Sequence, residues 1–164
     1  MTLPRLGLPT RSRVAATQQM VRHVSIFDRL RTEAEALLPG LCSYEERLAS
    51  PSGKVSLPTS VASVYNIIWW DTLLKTGLGG LNSGPRLSHH FNGHAQSALC
   101  KTMRRDREYL MEIGCPPDVP RDWVQRNLDV FLIHTAKRDD AFRLEQHLHR
   151  VLPPRYEGGR IHIS

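Results

Sequence analysis

The sequence has few cysteines and no long apolar run, and each shortage excludes a class of protein. Its three cysteines are far apart and odd in number, so we expect a reducing compartment and no disulfide framework. Its nearest approach to a membrane segment, residues 61–74, is interrupted by Asn66 and Asp71 and falls short of the ~20 residues that a span needs. We therefore expect no membrane span.

Acidic residues are nearly absent from the first part of the chain. Residues 5–31 hold six arginines and one acid, Asp28, and so carry +5 of the chain's net charge of +6. Lysine is also scarce, because 18 of the 22 basic residues are arginine. Arginine grips phosphate bidentately and stacks on bases, which favours RNA contact, although codon composition gives the same bias without any function. The charge concentration predicts a polyanionic partner.

The same basic stretch contains a helix signal. Thr10 can cap a helix over residues 10–24, where apolar side chains recur at three- and four-residue spacing. An arginine-rich, acid-poor amphipathic segment is also typical of a mitochondrial transit peptide. Prolines and a glycine prevent regular structure in the arm of residues 1–9. We expect that arm to be ordered only on RNA, with Arg5 or Arg11 bound to a phosphate.

Hydrophobic spacing and chain breakers predict an α+β domain, with helices packed on a small sheet. In chain order, the predicted elements are a strand at 27–32, a helix at 33–38, a helical restart at 43–48, a buried helix at 61–74, a loop at 77–85, helices at 94–113, 120–135 and 141–152, and a terminal strand at 158–164.

A histidine cluster at residues 89–94 suggests metal chemistry. His90 and His94 could hold zinc from one helix face, with Cys100 beyond them. However, Asn92 and Gly93 indicate that the helix begins near His94, and no cysteine pair or carboxylate completes four ligands. We expect a solvated or RNA-facing loop and no metal.

Other catalytic patterns are missing. The glycines at 77–80 are not followed by the Lys-Ser/Thr of a phosphate loop. Asp139 and Asp140 are adjacent, so their side chains diverge on a helix. No serine lies between glycines in a nucleophile motif. We therefore expect no catalytic residues, no cofactor and no small-molecule substrate, with a small metal-dependent enzyme as an alternative.

Two separated stretches resemble one family. The first is RLGLPTRSR at 5–13, with FDRLRT at 27–32 and YEERL at 44–48; the second is VLPPRY at 151–156, with GGRI at 158–161. In this order they resemble the bacterial-type large-subunit ribosomal protein seventeen, in its mitochondrial form. The resemblance implies a core built from residues 1–50 and 139–164, with residues 51–138 as a mostly helical insertion.

The resemblance also implies a function: a structural constituent of the large subunit of the mitochondrial ribosome, bound to ribosomal RNA and to neighbouring ribosomal proteins in the mitochondrial matrix. It implies RNA contact by Arg5, Arg11, Ser12, Arg13, Arg29, Arg31, Arg155 and Arg160, and the charge of the basic stretch adds Arg22. Trp69 and Trp70 lie in the predicted buried helix, so we expect them at a protein interface. A subunit of a mitochondrial respiratory assembly, held by protein contacts alone, is the alternative function.

Overall fold

The computed structural model describes residues 24–47, 57–58, 60–81, 86–92 and 97–163. Helices cover both faces of an antiparallel sheet in these ranges, which confirms the α+β class. In chain order the elements are α1 (Ile26–Leu37), β1 (Cys42–Arg47), β2 (Ala62–Trp69), β3 (Thr72–Gly80), α2 (Arg86–Phe91), α3 (Ala98–Arg105), α4 (Arg107–Glu112), α5 (Arg121–Asn127), β4 (Asp129–Thr135), α6 (Arg138–Val151), β5 (Tyr156–Glu157) and β6 (Arg160–Ile161). The predictions for the arm, for the helix at 10–24 and for Arg5, Arg11, Ser12, Arg13, Arg22 and His94 lie outside the described residues.

The larger sheet has the strand order β1-β4-β2-β3, and every neighbouring pair is antiparallel. β4 and β2 lie at the centre, where Leu132 pairs with Tyr65. Both central strands are buried at nearly every position because the sheet is covered on both faces. β3 is an outer strand.

Each face of the sheet has its own apolar core. Leu30 of α1 and Leu148 of α6 pack on one face around Phe131. Leu87 of α2 packs on the other face near Leu132, together with residues from α3, α4 and α5. Burying one such side chain stabilises the fold by about 1.5–3 kcal/mol, so the two layers hold the sheet between them.

Residues 27–32, predicted as a strand, and residues 33–38, predicted as a separate helix, form the single helix α1. Ser25 caps it, because the Oγ atom accepts a hydrogen bond from the Asp28 N–H at 3.2 Å. The strand prediction is wrong because the buried residues recur every four positions, as in a helix, and not every two. They are Ile26, Leu30 and Ala34.

Residues 61–74, predicted as a buried helix, form the β2–β3 hairpin. Trp70 and Asp71 make its two-residue turn. A continuous apolar run shows no hydrophobic periodicity that could distinguish a helix from a strand. Its content of β-branched and aromatic residues favours a strand. The helical restart predicted at 43–48 is wrong over residues 43–47, which lie in β1 because they pair with β4.

Part of the predicted loop at 77–85 is strand. Residues 77–80 complete β3 and pair with β2. A β-carbon at Gly77 would meet the phenol of Tyr65, so the packing of that ring requires glycine here. Glycine in this strand marks close packing, which the composition alone did not distinguish from flexibility.

The prediction of the last long helix is confirmed, and those before it are corrected. α6 spans Arg138–Val151, against 141–152 predicted. The helix predicted at 94–113 divides at Asp106 into α3 and α4. The helix predicted at 120–135 is α5 followed by β4, because its second half pairs with β1 and β2. The terminal strand is present as β6, which pairs with β5.

Residues 51–138, predicted as a mostly helical insertion, supply β2, β3 and β4 as well as α2 to α5. β4 pairs with β1 of the preceding segment, and α6 of the following segment packs on β2 and β3. The three predicted segments therefore share one sheet.

Candidate functional site

A polar cleft of about 330 Å³ opens at the edge of β3. It is bordered by β3, α2, α6 and the turn between β5 and β6. The ionisable and hydroxyl-bearing side chains that line it are Tyr65, Lys75, Arg86, His89, His90, Ser97, Glu145, His149 and Glu157.

Helix α2 brings three of these side chains to the cleft: Arg86, His89 and His90. Leu87 and Phe91, four positions apart, are buried and anchor the helix on the core. The side-chain amide of Gln125 donates to the Phe91 carbonyl at 3.1 Å and fixes the end of the helix. Arg86 and His90, also four positions apart, therefore share the side that borders the cleft.

Helix α6 contributes Glu145 and His149 from the other side. The buried residues of α6 pack on the sheet, and positions 145 and 149 adjoin them at the border of β3. His149 Nε2 donates to the Thr76 carbonyl at 3.2 Å, and its Nδ1 lies 2.6 Å from Glu157 Oε1. These contacts tie α6 to β3 and to the C-terminal hairpin.

Three buried side chains of the cleft form a hydrogen-bonded chain. Tyr65 Oη lies 3.1 Å from His90 Nε2, and His90 Nδ1 lies 2.6 Å from Ser97 Oγ. Ser97 Oγ also accepts from the Cys100 N–H at 3.3 Å. A neutral imidazole donates through one nitrogen and accepts through the other. The hydrogen bonds of the chain can therefore all run from Tyr65 towards Ser97 or all run from Ser97 towards Tyr65.

Burial keeps this chain uncharged. It lowers the pKa of His90 to about 3, with the charge of Lys75 as the next cause. It also raises the pKa of Tyr65 to about 12. At neutral pH the imidazole and the phenol are therefore both neutral, and a proton that enters at one end can be matched by one that leaves at the other.

Glu145 and Lys75 are half-buried groups of opposite charge in the same cleft. Burial raises the pKa of Glu145, and burial lowers the pKa of Lys75, while each charge offsets part of the other's shift. Among the described residues, neither group has an ion-pair partner within 4.0 Å. Ionisable groups shifted by burial and by named charges, gathered in a cleft, are typical of functional sites.

His89 and His90, predicted to lie in a solvated loop, belong to α2. His90 is buried because Tyr65 and Ser97 satisfy both of its ring nitrogens. In the part of the chain that the structure describes, no group of three or more His, Cys, Asp or Glu side chains is arranged to hold a metal ion.

The cleft is lined by none of the predicted RNA-contacting arginines that the structure describes, which are Arg29, Arg31, Arg155 and Arg160. Arg29 is exposed on α1, and Arg160 is exposed on β6. Arg31 lies 3.4 Å from Glu46 and over the ring of Tyr44, 5.2 Å from its centroid. Contact of these three arginines with RNA stays a prediction.

Arg155 is engaged inside the protein. Its Nε lies 2.8 Å from Asp106 Oδ2, and its guanidinium stacks on Tyr109 at 3.8 Å from the ring centroid. The Tyr156 hydroxyl donates to the same carboxylate oxygen at 3.0 Å. These contacts give Arg155 a structural role between α4 and the C-terminal hairpin, and its RNA contact stays a prediction.

The two predicted interface tryptophans have different environments. Trp69 is half-buried against the core, with its ring 6.3 Å from that of Tyr109. Trp70 is 78% exposed at the tip of the β2–β3 hairpin. Contact of either ring with a partner protein stays a prediction.

A second constellation, on three adjacent strands, has the connectivity of a nucleophile triad. Ser63 Oγ lies 2.7 Å from His134 Nδ1, and His134 Nε2 lies 3.3 Å from Glu45 Oε2. Ser63 is 0% exposed, so a substrate cannot reach its hydroxyl. These hydrogen bonds satisfy polar groups within the sheet and do not form an active site.

The cleft had no signature in the sequence because separate elements assemble it. Tyr65, Lys75, Arg86 and Glu145 come from β2, β3, α2 and α6, at no recognisable spacing. The local signal that could have pointed to them is the glycine at position 77 within a strand, which indicates a close approach.

No protein-family model, no curated protein and no solved structure matches this chain. The chemistry of the cleft is therefore inferred from its own side chains. Over the described ranges, no helix combines the length and the apolar character that crossing a bilayer requires.

Proposed function

We propose that the protein binds a polynucleotide and hydrolyses a phosphodiester bond in the β3 cleft. One observation carries the proposal: two cations, a neutral hydrogen-bonded chain and two carboxylates border a single cavity, and one of the carboxylates, Glu157, is paired with His149. Phosphoryl hydrolysis needs charge stabilisation at the phosphate, a proton acceptor for water and a ligand for a divalent cation. Each of these has a candidate here.

Lys75 and Arg86 give the cleft its affinity for phosphate. The planar guanidinium of Arg86 matches two phosphate oxygens, and the compact ammonium of Lys75 acts as a half-buried point charge. Burial lowers the pKa of Lys75; the charges of Glu157 and Glu145 oppose this, and the smaller effect of Arg86 adds to it. An anion between the two side chains relieves their repulsion, so this arrangement favours a bound phosphate.

Tyr65 and His90 can take the proton that an attacking water loses. The water oxygen forms a bond to phosphorus as the bond from phosphorus to the leaving sugar oxygen breaks. The water proton passes to Tyr65 Oη, the phenolic proton passes to His90 Nε2, and solvent protonates the leaving oxygen. The charge of the bound phosphate opposes that of Lys75, which makes the imidazole a better proton acceptor in the complex.

Glu145 suits the role of a cation ligand. Mg²⁺ is usually bound by one or two carboxylates together with substrate phosphate oxygens and waters. Glu145 borders the same cavity as the two cations and is not paired with either within 4.0 Å. We therefore expect activity to depend on a divalent cation, which would stabilise the charge that develops on the phosphate.

A polynucleotide fits the whole chain better than a mononucleotide does. The cleft is open to solvent along the edge of β3, so a strand can pass through it. Residues 5–31 carry +5, and a long polyanion can use that charge as well as the cleft.

The test uses the purified full chain with end-labelled single- and double-stranded DNA and RNA, in MgCl₂ or EDTA. We expect shortened products only with Mg²⁺. Lys75→Gln and Arg86→Gln should each weaken binding and lower the slope of log affinity against log salt by about 1. Arg121→Gln, at an exposed position on α5, is the matched control and should change neither. No product from any of the four substrates would refute the proposal.

A second candidate is the structural role in the large subunit of the mitochondrial ribosome. The positive charge of residues 5–31 favours it, as does the exposure of Arg29 and Arg160. Gradient sedimentation of the tagged protein separates the possibilities. Migration with the large subunit would support this candidate, migration with a respiratory complex would support the alternative function, and migration as free protein would contradict both.

A further inference from the structure

Trp70 occupies a backbone position that suits glycine. It is the first central residue of the two-residue β2–β3 turn and has a φ of 55°. Hairpin turns with positive φ at this position normally have glycine there, because a bulky side chain is strained. The ring is also 78% exposed, so burial does not offset the strain. Strained residues of this kind cluster at binding and catalytic sites.

The exposed ring is backed by a row of fixed rings. Trp70 lies 6.0 Å from Trp69, and Trp69 lies 6.3 Å from Tyr109, measured between ring centroids. Arg155 holds Tyr109 from the other side by stacking at 3.8 Å. Trp69 and Tyr109 belong to the core, so they hold the inner side of the row while Trp70 faces solvent.

A second cavity of about 400 Å³ adjoins the hairpin tip. It lies between residues 71–73 and the end of α6, and Arg29 and His162 line it. Among the described residues that line it, the one acid is Asp71, which accepts a hydrogen bond from the Ile26 N–H at 2.6 Å. The cavity therefore combines apolar walls with basic side chains, which suits an aromatic base on an anionic backbone.

The second cavity and the β3 cleft are bordered by different residues of β3. Lys75 borders the cleft and Leu73 borders the second cavity, and the pairing of β3 with β2 is irregular between these two residues. α6 borders both cavities, through His149 in the cleft and Val151 in the second cavity. Lys75 and Trp70 are five residues apart, roughly 17 Å of extended chain, so a nucleotide strand with one phosphate in the cleft can reach Trp70 with a base a few nucleotides away.

We propose that Trp70 is a stacking platform for an unpaired base of the polynucleotide whose phosphate occupies the cleft. The proposal rests on the proposed function for the class of ligand. Stacking on an exposed aromatic ring tolerates any base and needs no hydrogen-bond pattern, so RNA and single-stranded DNA share the required chemistry.

The test measures the affinity of the full chain for single-stranded oligonucleotides, in EDTA so that no cleavage occurs. One pair, RNA and DNA, carries its normal bases, and a second pair is abasic throughout. Trp70→Ala should lower affinity for the normal oligonucleotides about 10-fold and leave affinity for the abasic ones unchanged. Trp70→Tyr should keep most of the affinity. A loss seen with RNA alone would identify RNA as the ligand, and a loss seen with DNA alone would identify DNA.

Trp70→Gly is the control for backbone strain. It should be at least as stable to urea as the wild type, because glycine accepts the positive φ, and should still lose affinity as Trp70→Ala does. Met111→Ala, at another exposed apolar position, should change neither property.

Two outcomes separate this inference from the proposed function. If Trp70→Ala binds the oligonucleotides within twofold of wild type while Lys75→Gln and Arg86→Gln bind them more weakly, the stacking platform is overturned and the cleft proposal is left intact. If Trp70→Ala binds more weakly while Lys75→Gln and Arg86→Gln bind like wild type, the result supports stacking and contradicts the proposal that the cleft binds the phosphate. An equal loss on normal and abasic oligonucleotides would also overturn the inference, since the ring would then not contact a base.

Discussion

Gly77 pairs with Tyr65 across the β2–β3 hairpin, and the Tyr65 phenol fills the space that a β-carbon at residue 77 would occupy. The same phenol reaches His90 Nε2 at 3.1 Å. A glycine in the outer strand therefore determines where the hydrogen-bonded chain of the cleft begins.

Gly77→Ala should displace the Tyr65 ring and break its hydrogen bond to His90. A buried polar group left unpaired costs about 1–3 kcal/mol, so urea unfolding should show a loss of that size, together with weakened cleavage. Gly79→Ala is the matched control on the same strand, because its β-carbon would meet the flexible end of Leu57 and approach the Tyr65 ring only to 3.3 Å, away from the hydroxyl, and should cost less. A Gly77→Ala protein as stable and as active as the wild type would contradict this account of the cleft.

Asp106→Ala should be among the more damaging single changes. Asp106 accepts from Arg155 and Tyr156, and the side chains of the ion pair are only 11% and 16% exposed. Removing one partner leaves a largely buried charge, so we expect the free energy of unfolding, measured with urea, to fall by about 3–5 kcal/mol. Asp140→Ala, which breaks the more exposed pair with Arg143, should cost at most about 1 kcal/mol. Equal losses in the two variants would refute the structural role of Arg155.

Stability should fall in acid through His90. Burial lowers the pKa of His90 to about 3 in the folded protein, from 6.5. Between these values the unfolded chain binds a proton that the folded chain does not. The contribution of neutral His90 to the free energy of unfolding is therefore complete above pH ~6.5. It is lost as the pH falls towards ~3, at up to about 1.4 kcal/mol per pH unit.

Urea unfolding over that pH range tests the prediction. His90→Gln should flatten the dependence of unfolding free energy on pH, because the titrating group is gone. His89→Gln removes an exposed histidine of the same helix, whose charge is only a minor cause of the lowered His90 pKa, and should flatten the slope much less than His90→Gln does. A slope in His90→Gln equal to that of the wild type would assign the acid sensitivity to other groups.

The fold was predictable where a helix is amphipathic and ends at strong breakers. α6 has apolar residues at helical spacing and is followed by Pro153 and Pro154, and it was predicted within three residues at its start. The β2–β3 hairpin was not predictable, because apolar and polar residues do not alternate along a strand that is buried on both faces. The resemblance implies a strand at residues 27–32, where the structure has a helix, so that element does not support it.

The candidate site was predictable only in fragments. His90 stood out as a histidine, but its partners Tyr65 and Ser97 lie on β2 and before α3, and only the folded sheet brings them together. Glu145 looked like an ordinary polar residue on the outside of α6. Its position beside Lys75 depends on how α6 packs across β3, which no local pattern encodes.

Glu145→Gln tests the central claim most directly. The variant keeps the shape of the side chain and removes its charge, so binding in EDTA should be unchanged or slightly tighter, because one negative charge near the phosphate is gone. Single-turnover cleavage of a labelled oligonucleotide in Mg²⁺ should fall at least about 100-fold, the scale of losing a group that stabilises charge in the transition state. Glu46→Gln, at an exposed position on β1, is the control. Cleavage by Glu145→Gln at the wild-type rate would contradict the assignment of this cleft as a phosphodiesterase site.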